Sequence, residues 1–294
     1  MIFKDIKLFS QNIWKNFLIV KTILKVKSKF DIIFIQEPSW TTIHSILSST
    51  NCEGDNMVGV VNHPNWLTFT KTSINKDKYP RVAVYVNIRI SSFCFSLCRD
   101  IIDHRDILLV SFLNNNDICW LMNIYSNSSH SVLKYLKNTE VNIQNLLIMT
   151  GDFNIQDSLW DSSFPHHSSI SNNLLIIANS FNLNLLIPIN QIPTRYSDNA
   201  NDSNSVIDLM FLQCSSTELD NHSIHPKWCL TSDHIPLTIT IPIVEKNVNS
   251  KKRSIIKNSK EEEQFIKNIT ISIKNLDMTN LSDISHLENH GWFC

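Results

Sequence analysis

Glycine is scarce, with four in 294 residues. A chain this poor in the one residue without a Cβ has few strain-free left-handed turns. Its abundant asparagine can substitute there, because asparagine tolerates positive φ; an AT-rich coding bias would produce the same excess of Asn, Ile and Lys. An excess of one charge is also missing. The net charge is −1 and the sequence pI about 6.8, so bulk charge does not announce a nucleic-acid partner, and contact with one requires a local basic face. No apolar run reaches transmembrane length. The N-terminus, MIFKDIKLFSQNIWKN, alternates charged and apolar residues where a signal peptide has an uninterrupted apolar core. The seven cysteines are scattered and include no CxxC pair. An odd, scattered set suggests free thiols in a reducing compartment, so a soluble nuclear or cytoplasmic protein is expected.

What is present is core-forming material. With 43% hydrophobic and 18% charged residues the chain supports a sizeable core and is not globally disordered. Its length holds one large domain with a tail, or two small ones. Phe17, Val20, Ile23 and Leu24 recur at helical spacing and predict a helix over 16–27 with lysines outward. Further helices are expected over 131–144 and 168–181. Residues 6–13 read as an edge strand, and 31–36 as a strand covered on both faces that stops at Glu37-Pro38. Strand, helix, strand argues for an α/β architecture. Strand-like runs follow at 57–62, 66–70, 81–89 and 93–97, and those at 107–113 and 118–125 flank an asparagine-built hairpin turn at 114–117. The remaining strands are 145–150, 183–187, 206–212 and 235–241. Composition changes after Ile243, so the domain is 1–243, followed by a polar linker over 244–260 and a partly helical tail over 261–294, too short for a second domain.

One of the scarce glycines opens GDFNIQDSLWD at 151–161. After an apolar strand, Gly151 allows a sharp turn that presents Asp152 and Asn154 on one side, two residues apart. A plain Asx turn that ends the strand is the alternative. Other strand ends carry similar chemistry: Asn12, Glu37, Asn123 with Tyr125, and Asp233-His234 before the last strand. Asp208 lies inside VIDLMF, where an unpaired buried carboxylate costs several kcal/mol. Singly, each has a structural account as a turn or an exposed strand end. Jointly, carboxylates, amides, a tyrosine and a histidine at successive strand ends are what a divalent-cation phosphoester site needs. Oxygen ligands suit Mg²⁺ or Mn²⁺, and one or two carboxylates suffice because Mg²⁺ retains water and substrate phosphate.

These segments resemble the endonuclease/exonuclease/phosphatase superfamily, most closely the endonuclease domain of fungal non-LTR (LINE-type) retrotransposons. The resemblance is carried by SQNIWKN (10–16), DIIFIQEPSW (31–40), HPNW (63–66), PRVAVYVN (80–87), NIYSNSS (123–129), GDFNIQDSLWD, PTRYSDNANDSNSVIDLMF (193–211) and TSDHIPL (231–237), in the family's order. It implies a four-layer α/β sandwich, with two mostly antiparallel sheets packed face to face, helices outside and a site at one edge. By resemblance, Glu37 is the main metal ligand, Asn12 helps organise it, and Asp233 is a further ligand or metal-orienting carboxylate. Asp152 aligns and deprotonates the attacking water, and Asn154 holds water or a phosphate oxygen. Tyr125 and His234 contact the phosphate, with Asp208 hydrogen-bonded behind the histidine. The family pattern often has an acidic or small polar residue soon after the first Asn; here Ile13-Trp14-Lys15-Asn16 follow instead.

The resemblance implies a Mg²⁺-dependent endonuclease (Mn²⁺ also serving) that nicks DNA through phosphate contacts. Lys15, Lys71, Lys76, Lys78, Arg81 and Arg195 are candidates for a basic rim. Thr194 and Arg195 are expected to bind substrate, in a loop that approaches DNA in the family. Two other readings stand beside this one: a phosphatase or phosphodiesterase of the same superfamily, and an inactive DNA- or protein-binding relic.

Overall fold

Side-chain alternation along the strands builds the molecule. Ile32 and Phe34 project to one side of their strand while Ile33 and Ile35 project to the other; Val82, Val84 and Val86 oppose Ala83 and Tyr85 in the same way. Leu108, Val110 and Phe112 likewise oppose Ile107 and Leu109. A strand apolar on both faces must be covered on both, and the consequence is a stack of layers.

The computed structural model describes residues 3–46, 55–71, 79–114, 117–139, 141, 143–186, 192–197, 203–213, 222–228, 230–244, 263 and 266–267. The chain divides into two compact units, Met1–Glu245 and Lys246–Cys294. The second is described only at residues 263, 266 and 267, so the expected linker and tail lie largely outside the described residues, as do Lys76 and Lys78. No described helix is long and apolar enough to cross a membrane.

The elements are β1 (Phe3–Asn12), α1 (Phe17–Val26), β2 (Ile32–Gln36), β3 (Thr41–Ile46), β4 (Asp55–Gly59), β5 (Trp66–Phe69), β6 (Val82–Asn87), β7 (Ser96–Leu97), β8 (Ile107–Asn114), β9 (Asp117–Tyr125), α2 (Ser131–Asn138), β10 (Leu146–Asp152), α3 (Ser169–Ser180), β11 (Asn184–Leu186), β12 (Asp208–Leu212), β13 (His222–Ile224) and β14 (Leu237–Val244). Two six-stranded sheets have the orders β13-β14-β1-β2-β6-β5 and β11-β12-β10-β9-β8-β7, while β3 and β4 pair separately. Each large sheet is antiparallel except for one parallel pair, β1 with β2 and β10 with β9.

One apolar cluster fills the space between the sheets, with Leu8, Phe34 and Val84 from the first meeting Val110, Leu121 and Ile148 from the second. Helix α1 covers the outside of the first sheet through Ile19, Val20, Ile23 and Leu24, packed on Phe9, Ile33 and Tyr85. Its N-terminus is capped by Asn16, whose side chain accepts from the amides of Leu18 and Ile19. Helices α2 and α3 cover the second sheet through Val132, Leu133, Leu174 and Ile177. The result is the expected four-layer α/β sandwich.

One expectation fails: β1 is an inner strand, paired with β14 on one side and β2 on the other. Exposed Asp5 and Lys7 suggest an edge, yet they alternate with buried Ile6 and Leu8, so they mark one solvated face of the strand rather than an unpaired side. Asparagine does take the place of glycine at Asn145, Asn154 and Asn182, which have φ of 59°, 50° and 57°.

Candidate active site

The topology gathers the strand ends. The parallel pairs β1/β2 and β9/β10 lie opposite each other across the sandwich core, and their C-terminal ends reach one edge, where the Asn12 side chain donates to Asp152 Oδ2 at 2.8 Å. Strands β12 and β14 run antiparallel to their neighbours and therefore begin at that edge, with Asp208 opposite Asp152 in register. Residues from five strand ends and the segment before β14 thus meet.

Gly151 allows Asp152 to sit there, though not by the expected turn. It lies inside β10 with φ of 149°, and a Cβ on it would come 1.9 Å from the Ile124 carbonyl oxygen of β9. The glycine permits close approach of two backbones; the bend beyond is made by Asn154 in the left-handed region. The Asn154 amide closes onto Asp152 Oδ1 at 2.9 Å, and its side-chain nitrogen donates to the Ser126 carbonyl at 2.8 Å.

Asn12 links the two carboxylates, donating to Asp152 Oδ2 and, at 3.4 Å, to Glu37 Oε2. Its own oxygen accepts from the Trp14 amide at 2.9 Å, and its carbonyl accepts from the Ser232 hydroxyl at 2.7 Å. Glu37 has a left-handed backbone, φ 47°, and is pinned by its amide to the Arg81 carbonyl and by its own carbonyl to the Lys15 amide, both at 2.7 Å. Strain of this kind persists only where the surroundings enforce it. Tyr125 bonds to Glu37 through its hydroxyl, and its ring lies under the Arg81 guanidinium, 4.4 Å from the centroid. Arg81 is itself clamped by buried Asp106 at 2.7 and 2.5 Å.

His234 donates from Nδ1 to both oxygens of Asp208, at 3.1 and 2.9 Å, which leaves Nε2 3.9 Å from Asp152 Oδ2 and 3.9 Å from Asp233 Oδ1. Burial pushes the imidazole down, but Asp208, Asp152 and Asp233 outweigh it and raise the pKa to about 9. Asp152 is raised to about 7 by burial first and Asp208 second, against His234, Asn12 and the Asn154 amide. Tyr125 is pushed up by burial and by the Glu37 and Asp152 charges, so its phenol stays a hydrogen-bond donor. Ligand-type atoms of Asp152, Asp208 and His234 lie within 4.8 Å of one another, a possible acidic/histidine metal site. The Asp208–Nδ1 bonds already use one carboxylate and one ring nitrogen, which favours an oriented imidazolium aimed at Asp152. Glu37, Asn12 and Asp152 are linked by hydrogen bonds and Asp233 stands beside His234; their side chains carry oxygens of the hard kind that suits a divalent cation.

Several expectations change. Thr194 is fully buried; its hydroxyl accepts from the amides of Ile207 and Asp208 at 3.0 and 2.9 Å, so it braces β12 rather than meeting substrate. Arg195 pairs with Asp233 at 3.1 Å on the rim. Lys71 is not a rim cation: its ammonium bonds the Ile102 and His104 carbonyls at 2.6 and 3.1 Å. Asn123 turns into the space between the sheets, away from the site edge, donating to the Ile35 and Ala83 carbonyls and accepting from Gln36 at 2.6 Å. Ser126, Ser232 and Asp106 were not foreseen. Only Asp106 had a signal, an acidic residue directly before the apolar run ILLVSF.

Residues 107–238 match a family described as endonuclease-reverse transcriptase. The structure is similar to the endonuclease domain of TRAS1, a telomere-specific non-LTR retrotransposon, at 17% identity and a TM-score of 0.58 over 82% of this chain and 99% of that one. It is also similar to an AP endonuclease from Archaeoglobus fulgidus, at 13% identity and a TM-score of 0.50 over 81% of this chain and 100% of that one. No curated protein matches the sequence.

Proposed function

We propose that this chain is a member of the endonuclease/exonuclease/phosphatase superfamily that hydrolyses a phosphodiester bond of DNA and leaves a nick, as in retrotransposition; the family match over residues 107–238 and the likeness in fold support this. The observation that carries this reading is the unbroken line of contacts from Asp208 through His234, Asp152 and Asn12 to Glu37 along one sheet edge.

Glu37, with Asn12 and Asp233, would hold Mg²⁺ or Mn²⁺; the donor set fits, being hard oxygens around a carboxylate, Asp152, whose charge burial and Asp208 disfavour. When bound, the cation offsets charge that builds on the phosphoryl and leaving oxygens. Asp152 orients the attacking water and takes its proton; a base near neutrality suits that role. Asn154 fixes Asp152 through its amide. His234, held protonated by Asp208, directs its Nε2 hydrogen at the phosphate oxygens, and the Tyr125 hydroxyl turns to them from Glu37 when the phosphate is bound.

Supercoiled plasmid incubated with Mg²⁺ should become open-circular. Asp152→Ala should lower the initial rate by about 10²- to 10⁴-fold, the usual weight of general-base catalysis, and Glu37→Gln should raise the Mg²⁺ concentration needed. Plasmid left intact by folded protein across Mg²⁺ and Mn²⁺ titrations would overturn the assignment, and turnover of small phosphoesters alone would redirect it to a phosphatase.

A further inference from the structure

Of the cations expected around the site, Arg81 and Arg195 are paired with Asp106 and Asp233, and Lys71 is held by two carbonyls. A second group stands elsewhere, on the outer flank of the first sheet where α1 turns into β2. There Lys27 and Lys29 bring their ammonium groups to 3.5 and 4.5 Å from the centroid of the Trp228 indole. Trp228 packs edge-on to Phe30 at 6.3 Å. His225 lies flat on the indole at 3.7 Å, with 11° between the planes, and its Nε2 bonds to the Thr238 hydroxyl of β14 at 2.7 Å. Arg89 fixes the turn that carries the lysines, donating to the Ser28 and Lys29 carbonyls at 2.9 and 2.6 Å.

Two ammonium groups over one indole repel each other, and neither has a carboxylate partner among the described residues. Burial and the Lys29 charge push Lys27 down, and burial, Lys27 and Lys29 push His225 down, with no acidic group acting on either. Asp31, just beyond the turn, is taken by Arg89 at 3.0 Å and by the Lys7 amide at 2.9 Å. An anion on this flank therefore relieves a repulsion that is built into it. The indole itself offers no stacking surface. An ammonium 3.5 Å from its centroid cannot share the face that His225 occupies at 3.7 Å, so both faces are covered. Such a surface holds phosphates and not bases, which suits a duplex, whose phosphates point outward and whose base faces are hidden. Helix α1 connects the flank to the site: the Lys15 amide bonds the Glu37 carbonyl at its start, and Lys27 follows its end. Ten residues of helix span about 15 Å.

We infer that Lys27 and Lys29, set on Trp228, form a second phosphate-binding surface that holds one duplex arm of the DNA at a distance from the catalytic edge. At about 3.4 Å of duplex per base pair, the arm meets it about five base pairs from the scissile phosphate. The inference rests on the nicking assignment above and adds a requirement for duplex on one side of the nick.

The test measures binding of end-labelled duplexes around a mapped nick position, with the Asp152→Asn protein so that no turnover intervenes. One arm is lengthened a base pair at a time while the other stays fixed, and the two arms then exchange roles. Affinity should step up on one side only, by about tenfold or more at about 0.1 M salt, once that arm passes about five base pairs. Lys27→Gln combined with Lys29→Gln should remove the step and reduce the slope of log affinity against log salt by about two. Lys27→Arg combined with Lys29→Arg should keep both. In protein that retains Asp152, either pair should nick short-armed duplex at the parent rate. A gain that is equal on the two arms, or a step that survives the glutamine pair, overturns the inference. Wild-type protein that nicks short duplex while the arm-length series shows no step sinks this inference alone; protein that neither nicks nor binds sinks the assignment beneath it.

Discussion

Asp152 and His234 titrate in opposite senses for the proposed reaction. Asp152 must be ionised to take a proton, so activity rises as pH passes its pKa, raised to about 7 by burial and Asp208. His234 must be protonated to donate, so activity falls as pH passes about 9. The expected nicking profile is a bell between these limbs, with the acid limb lower once a cation is bound, because nearby positive charge favours the carboxylate. Asp208→Asn removes a cause of both upward shifts, so both limbs should move to lower pH while the maximal rate drops about a hundredfold; initial rates against pH check this. The same imidazolium contributes to stability, fully below its unfolded value near 6.5 and progressively less as pH rises through about 9. Gly151 is the other residue where one substitution should act alone. Gly151→Ala places a methyl 1.9 Å from the Ile124 carbonyl oxygen, and a loss of about 3 kcal/mol or more in urea unfolding is expected.

The segment between β10 and α3 holds the site from behind. Asp157 accepts from the amides of Leu159 and Ser168 and bonds His167 at 2.9 Å. Burial pushes Asp157 up, but those hydrogen bonds outweigh it and bring the carboxyl down to about 2, while the His167 pKa is raised by Asp157 first and Asn172 second. The carboxylate's contribution is present above its unfolded pKa near 3.8 and lost as pH falls toward 2; the imidazolium's is present below 6.5 and lost as pH rises through its raised value. Asp157→Asn should therefore lower the melting temperature most between about pH 4 and 6.5. Asp161 accepts from the Val206 amide at 3.0 Å, two residues before Asp208, and Thr194 holds the next two amides. Asp161→Ala leaves a buried amide unpaired, which costs about 1–3 kcal/mol, and should also depress nicking by loosening Asp208. The Asp161 brace could not be read from the sequence, because it joins residues 45 positions apart that meet only when β10 and β12 pair. What was legible were the helices over α1 and α3 and the β8–β9 hairpin, whose signals are local.

At the scale of the whole molecule, the two sheets face each other through an apolar layer that a chain of buried polar groups crosses. Gln36 donates to Asn123 at 2.6 Å and to Ser10 at 3.1 Å, and Asn123 donates onward to the Ile35 and Ala83 carbonyls. Such a crossing fixes how the sheets are set against each other, since a shift of either strips several buried groups of partners. Asn123→Leu should cost about 2–3 kcal/mol in chemical denaturation. A fragment ending at Glu245 should unfold in one cooperative step, because Met1–Glu245 is one compact unit holding all three apolar clusters. By itself the sequence determined the alternation that makes strands two-faced, the apolar helix faces that cover them, and the kinds of side chain at strand ends. Those are properties of neighbours along a chain, where periodicity and residue type are enough. Only the tertiary structure decided that β1 is an inner strand, that Gly151 serves a close approach between strands, and that Thr194 is a brace. Each depends on which strand lies beside which, and a hydrogen bond between residues more than a hundred positions apart, such as Asn12 to Asp152, leaves no trace in either local segment.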